Sequence, residues 1–211
     1  TRSVAVTGVQ TCALPISQDM AAVLAEVGSA ISSNAVVVSF AAGKKISFIS
    51  ENLGTVNPVI RVMPNTATMV GAGMAAISVG AGVTTSQREF VSGFLAKSGQ
   101  VVEVTEDLQD AVTATSGSGP AYFFAFVEAM VAGAQELGLS AEVATQLTVQ
   151  TIVGAAKLLV ESGKSATELR ENVTSPNGTT AAALNSFQQG ELAKLVAKSM
   201  KAARDRSIEL A

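Results

Sequence analysis

The segment Asn172-Val173-Thr174-Ser175-Pro176-Asn177-Gly178-Thr179-Thr180 runs straight into the apolar stretch Ala181–Phe187. Small polar residues and a Gly-Thr-Thr at a helix start make a natural anion site. The first N–H groups of a helix have no intrahelical partner, and the dipole favours a carboxylate or phosphate there. Thr180 would present a hydroxyl beside the same point. Ordinary capping by Ser175 or Thr179 is the plainer alternative. A cap needs one such residue and here there is a cluster, which favours a ligand. A second candidate is Arg61-Val62-Met63-Pro64-Asn65-Thr66, at the end of the apolar run Pro58–Met63. If that run is a strand of a parallel sheet, its C-terminal end faces the crevice where such folds bind ligands. A strand closed by a Pro-Asn turn explains the same residues, and on spacing alone it is the better reading. The third, Ser116-Gly117-Ser118-Gly119-Pro120-Ala121-Tyr122, lets backbone approach backbone or ligand, and Pro120 suits the first turn of a helix. No Lys-Ser/Thr pair follows, so it is not a phosphate-binding P-loop. Close helix packing is its plainer reading.

Composition narrows the chemistry. The 211 residues include no histidine and one cysteine, Cys12, so His as general base, pH switch or metal ligand and an internal disulfide are excluded. A net charge of −3 with scattered Lys and Arg gives no basic stripe, which argues against a nucleic-acid partner. Nearly half the chain is hydrophobic (48%) but only 4% is aromatic, so Ala, Val, Leu, Ile and Met must fill the core. The mean hydropathy of +0.39 raises the question of a membrane. The stretch Tyr122–Ala134 is too short to span and holds Glu128; Val143–Val160 carries Gln146, Gln150 and Lys157. Buried helices that need a partner surface, and therefore an oligomer, fit better. No secretory signal is evident, and an intracellular, cytoplasmic protein is expected.

Two kinds of element must position the candidates. Gln18–Ser32 has apolar residues at helical spacing. Ala35–Phe40 is a continuous β-branched run, expected to be a strand covered on both faces. Strands are predicted at Pro58–Met63, Ala72–Val79 and Gln100–Val104, with helices over Ile46–Leu53 and Thr84–Lys97, the latter turning Phe90, Val91, Phe94 and Leu95 inward. This alternation predicts crossover units on a parallel sheet. Past Val104 only helices are predicted: Glu106–Thr115, Pro120–Leu137, Ala141–Glu161, Ala166–Glu171, Thr179–Gln188 and Glu191–Glu209. Gly138, Ser140, Gly163 and Gly190 punctuate them. The change of character places a boundary near Thr105.

The strings RVMPNT, SGSGPAYFF and ENVTSPNGTTAAAL, in this order and spacing, resemble the pyrroline-5-carboxylate reductase family over about Gln18–Ala211. The resemblance implies a Rossmann-type parallel sheet domain, partial here (18–104), and an all-helical dimerisation and substrate-binding domain (105–211). It implies a homodimer, possibly a decamer. The implied reaction reduces the cyclic imine 1-pyrroline-5-carboxylate to L-proline with NADPH or NADH, which needs no His, Cys or metal. By resemblance the substrate carboxylate lies on backbone N–H groups of Gly178 and Thr179 with Ser175 nearby. Thr180, the catalytic candidate, meets the ring nitrogen and Val173 lines the ring pocket. Asn172, Ala41, Ala42, Pro64 and Asn65 fall on the cofactor side.

The chain also departs from the family. Members open with a strand and a GxGxxA/G turn for the cofactor pyrophosphate, whereas here Gly8 stands alone and Ala13-Leu14-Pro15-Ile16-Ser17 replaces a lysine-proline segment. Residues 1–17 are expected to be unrelated or artefactual, similar to translated adapter sequence; an ordinary N-terminal strand is the alternative. The family member is thus expected to be truncated here, and this polypeptide to bind NADPH poorly and not to turn over. Two other readings remain open. A hydroxy-acid dehydrogenase would employ a Lys at the start of the helical domain, and none lies in Glu106–Thr151. A non-catalytic helical dimerisation fragment would bind no cofactor.

Overall fold

The computed structural model describes residues 20–210. The expectations for residues 1–17, including Gly8 and Cys12, and for the first two residues of the opening helix lie outside that range. Contacts divide the chain into two compact units: one runs to Pro120 and resumes at Lys201, the other is Ala121–Met200. The change from strand to helix occurs near Thr105, whereas the units part after Pro120, because the first helical turns beyond Thr105 pack on the sheet.

In the first unit, helix α1 (Met20–Ala30) precedes strand β1 (Val37–Ser39), helix α2 (Ile46–Leu53) and strand β2 (Val59–Pro64). Strand β3 (Gly73–Val79), helix α3 (Thr85–Leu95) and strand β4 (Gly99–Glu103) follow. The sheet order is β1-β2-β3-β4. Strands β1 and β2 pair in parallel, as do β3 and β4, each pair joined through a helix as expected. Strands β2 and β3 are antiparallel, with Met63 opposite Ala76, so the sheet is mixed rather than wholly parallel. The connection explains it: residues 65–72 form only a 3₁₀ turn (Thr66–Val70), and a parallel crossover needs about a dozen residues or more.

Alternation along β2 assigns its faces. Val59 joins Met20, Leu24, Ile49 and Leu53 in a cluster with α1 and α2. Ile60 and Val62 join Ala75, Ile77 and Val91 beneath α3. Strand β1 packs Val37 on one face and Val36 and Val38 towards the other, but it is half-buried rather than buried because, among the described residues, it lies at the sheet's edge. Helix α3 starts with a capping box between Thr84 and Gln87. It buries Val91 and packs Leu95 on the sheet, while Phe90 and Phe94, expected inward, are exposed. Their ring positions lie a step further round the helix than the stripe that the sheet covers.

Helix α4 (Gln109–Val112) follows a 3₁₀ turn at Glu106–Leu108 and continues as a π-helical turn over Thr113–Gly117. The glycine-rich segment is therefore not an open loop. Ser118 donates its N–H to Thr113 O, and helix α5 (Gly119–Glu136) begins with Pro120 in its first turn. Helices α6 (Ala141–Glu161), α7 (Ala166–Asn172), α8 (Thr179–Gln189) and α9 (Leu192–Glu209) complete the chain. Ser140 caps α6 by accepting from Val143 N–H, and Gly138 and Gly163 stand at positive φ after α5 and α6. In α6 only Ala144 and Thr148 are buried, so the apolar helices expected to be covered present Phe123, Phe124, Leu147, Val153, Leu158 and Leu159 to the outside of the chain. By length and composition alone α6 could cross a membrane.

Candidate active site

The candidates fall in both compact units, and each group is described within its own. In the first unit, β1 and β2 run in parallel with Ser39 beside Arg61, so Ala41 and Pro64 follow at one sheet edge. Ala41 is half-buried and Ala42 exposed; Gly43 turns the chain at φ 74, which a residue with a side chain rarely adopts. Pro64 closes β2 opposite Ala75. Asn65 ties this edge together: Oδ1 accepts from Met74 N–H at 3.1 Å and Nδ2 donates to Ser116 Oγ at 3.5 Å. Its side chain is thus engaged inside the fold. Gly117 lies against strand β2 and not against another helix: a Cβ there would strike the end of Met63.

Behind this edge lies a charged cluster around Arg61, the first residue of the second candidate segment, whose carboxylate partners were not among the site candidates. Arg61 is buried, on the side of the sheet opposite Ile60 and Val62. Its guanidinium lies 3.5 Å from Glu106 Oε1 and 4.0 Å from Asp110 Oδ1. Ile46 N–H donates to Glu106 Oε1 at 2.6 Å, and Ser207 Oγ donates to Asp110 Oδ1 at 2.7 Å. On the same face, buried Gln109 donates to Ser78 Oγ at 2.8 Å, which donates to Val104 O at 2.9 Å. A signal was present: an arginine inside an apolar strand run must find carboxylates when buried. Nothing local indicated which carboxylates.

In the second unit, α7 ends at Asn172, with Val173 as its exposed C-cap. Thr174 Oγ1 donates to Arg170 O at 2.6 Å, closing the helix end. Ser175-Pro176-Asn177-Gly178 is a reverse turn with Gly178 N–H donating to Ser175 O at 3.0 Å. Pro176 supplies the fixed φ, and Asn177 takes the left-handed conformation at φ 59. Gly178 is then the N-cap of α8, and it has no side chain with which to cap the helix. A Cβ at Gly178 would collide with Ser175 Oγ, so glycine brings the serine hydroxyl against the helix start. Thr179 is exposed and Thr180 half-buried, in the first turn of α8. Ser175, Gly178, Thr179 and Thr180 are thus gathered at one helix end, with Val173 and Asn172 just before the turn. At the other end of α7, Ser165 Oγ and N–H donate to Glu168 Oε2 at 2.7 and 2.8 Å. The hydroxyl bond first, then the backbone bond, holds the Glu168 carboxyl below its ordinary range.

Comparison with known proteins adds to this geometry. The family described as pyrroline-5-carboxylate reductase dimerisation matches residues 106–210. The pyrroline-5-carboxylate reductase of Pseudomonas aeruginosa is 42% identical over 92% of this chain and 71% of its own length. That of Corynebacterium melassecola is 41% identical over 89% of this chain and 71% of its own. Among solved structures, a pyrroline-5-carboxylate reductase from Coxiella burnetii is similar with a TM-score of 0.86 at 36% identity, covering 92% of this chain and 73% of that one. The Plasmodium falciparum pyrroline carboxylate reductase with NADP bound gives 0.86 at 29% identity, covering 92% and 78%. With its mixed sheet followed by helices and an identity near 40% to several reductases, the chain belongs to the pyrroline-5-carboxylate reductase family.

Proposed function

We propose that this chain serves the reduction of 1-pyrroline-5-carboxylate to L-proline in the cytoplasm. The observation that carries the substrate side is the start of α8: its N-cap is a glycine with no side chain to cap it, and Ser175 is folded against that glycine. A carboxylate docked there would accept from the backbone N–H of Thr179, beside Gly178, whose own N–H is held by Ser175 O. Thr180 then stands beside the ring nitrogen and Val173 against the ring. Reduction places a hydride on the imine carbon and a proton on the nitrogen, so the protein's task is chiefly to hold the ring. A nicotinamide cofactor supplies the hydride when bound.

The residues at the sheet edge suit such a cofactor: Ala41 and Ala42 carry no side chain beyond Cβ, and Asn65 is turned into the fold. Ala41, Ala42, Pro64 and Asn65 are the proposed cofactor residues of this unit, and Asn172 is the one proposed in the helical unit. NADPH is the preferred form to test first, with NADH beside it. Self-association is carried by the dimerisation region at residues 106–210; a dimer, with assembly towards a decamer, is the proposed state. The domain limits proposed are 18–104 for the cofactor side and 105–211 for the helical part.

The test is oxidation of NADPH, followed by absorbance, on addition of 1-pyrroline-5-carboxylate. It is run on this chain and on a fusion placing ahead of Gln18 the residues of the Pseudomonas aeruginosa relative that precede its matched region. The fusion is expected to form proline. A folded, dimeric fusion that forms none would overturn the reading.

A further inference from the structure

Helix α2 begins without help from its own neighbourhood. Its N-cap, Lys45, has no acceptor to offer and makes no side-chain cap. The first N–H of the helix, Ile46, is instead taken by the carboxylate of Glu106 at 2.6 Å, sixty residues away in sequence. The same oxygen lies 3.5 Å from buried Arg61, which fixes where the carboxylate can stand. Arg61 also faces Asp110, and that carboxylate accepts from Ser207 near the end of α9. Just ahead of α2, Gly43 is held on its other side: a Cβ there would press on Leu210, at 3.1 Å from its backbone. The turn from Ala41 to Lys45 is thus clamped by distant segments.

We propose that Glu106 is a positioning residue: by capping α2 from outside, it sets the backbone of Ala41 and Ala42 at the C-terminal edge of the sheet. That this edge meets the cofactor rests on the functional reading above; the clamp itself does not. A carboxylate seated on this helix end also satisfies the donor that a cofactor phosphate would otherwise draw on.

Amide hydrogen exchange on the full 211-residue chain, with the variants Glu106→Ala and Glu106→Gln, tests it. Glutamine keeps an acceptor oxygen but not the charge. In Glu106→Ala, exchange at Ile46 should quicken by about 5-fold or more, the factor that losing a cap of ~1 kcal/mol gives. The amide shifts of Ala41, Ala42 and Gly43 should move, while β2 and β3 keep their protection. In Glu106→Gln, Ile46 should stay within about 2-fold of the wild type, since the cap is restored. The proposal is overturned if Ile46 is unchanged in Glu106→Ala, or if glutamine fails to rescue it. Equal acceleration across the sheet would also overturn it, because that is a loss of overall stability. Should Glu106→Ala not fold, the Ile46 exchange of Glu106→Gln decides alone. The measurement needs neither substrate nor cofactor, so an inert fusion would remove the functional reading and leave this result standing.

Discussion

Replacing Thr180 by alanine separates a chemical role from a structural one unusually cleanly in this fold. The N-cap of α8 is Gly178 and not Thr180, so removing the Thr180 hydroxyl takes away no N-cap. Alanine is also the better helix former, by up to ~0.7 kcal/mol. Thr180→Ala should therefore leave the melting temperature unchanged or slightly raised. Its effect on rate is a different matter. A hydroxyl bonded to the imine nitrogen meets a charge that changes as hydride arrives, and such a bond strengthens towards the transition state. Hydrogen bonds to charged groups contribute about 1.5–3 kcal/mol, so kcat should fall on the order of 10-fold or more. Ser175, exposed and folded against Gly178, would touch only the carboxylate, which is held alike in ground and transition states. Ser175→Ala should then act chiefly on KM. Steady-state kinetics of the active fusion, with melting curves and sedimentation of each variant, make the comparison. A Thr180→Ala enzyme that is folded, dimeric and unchanged in kcat would refute the role at the nitrogen.

The chain should sediment as a dimer or larger at micromolar concentration, because Phe123, Phe124, Leu147, Val153 and Leu158 are exposed in a region matched to a dimerisation family. A folded monomer would contradict this; an obligate interface buries more than about 2,000 Å². Gly28→Ala should destabilise by about 1–3 kcal/mol despite its better helix propensity, since the new methyl would overlap the Leu53 carbonyl oxygen of α2. Gly93→Ala, with nothing within 4 Å, should stabilise by up to ~1 kcal/mol, and denaturant midpoints that failed to move in opposite directions would be decisive against both. The Glu168 carboxyl, held low by Ser165, adds stability above its unfolded pKa that is lost as pH falls through its lower folded pKa. Its titration midpoint, read by NMR, should rise in Ser165→Ala; no change would show that the hydroxyl bond is not the cause.

Legibility differed between the two parts of the site. The cluster from Asn172 to Thr180 could be read directly, because turn and helix-start chemistry depends on residues a few positions apart. Pro176, Asn177 and Gly178 each do there what their backbone preferences dictate. Long helices were legible for the same reason: α6 occupies Ala141–Glu161, the residues that its period and Ser140 marked. Phe90 and Phe94 were misjudged since apolarity does not say how wide a stripe the sheet will cover. The direction of β3 was misjudged by weighing strand and helix alternation above the length of residues 65–72.

What the sequence determined by itself was local: where helices start and stop, which strand runs are apolar, and which short segment collects donors for an anion. The tertiary structure alone decided which carboxylates meet Arg61, that Glu106 rather than a neighbour caps α2, and that Asn65 turns inward to bind Met74 and Ser116. The physical reason is range. Backbone preference and capping act over one turn and are written in adjacent letters. A buried charge or an unpaired N–H can be satisfied by any residue that the fold brings within about 3 Å.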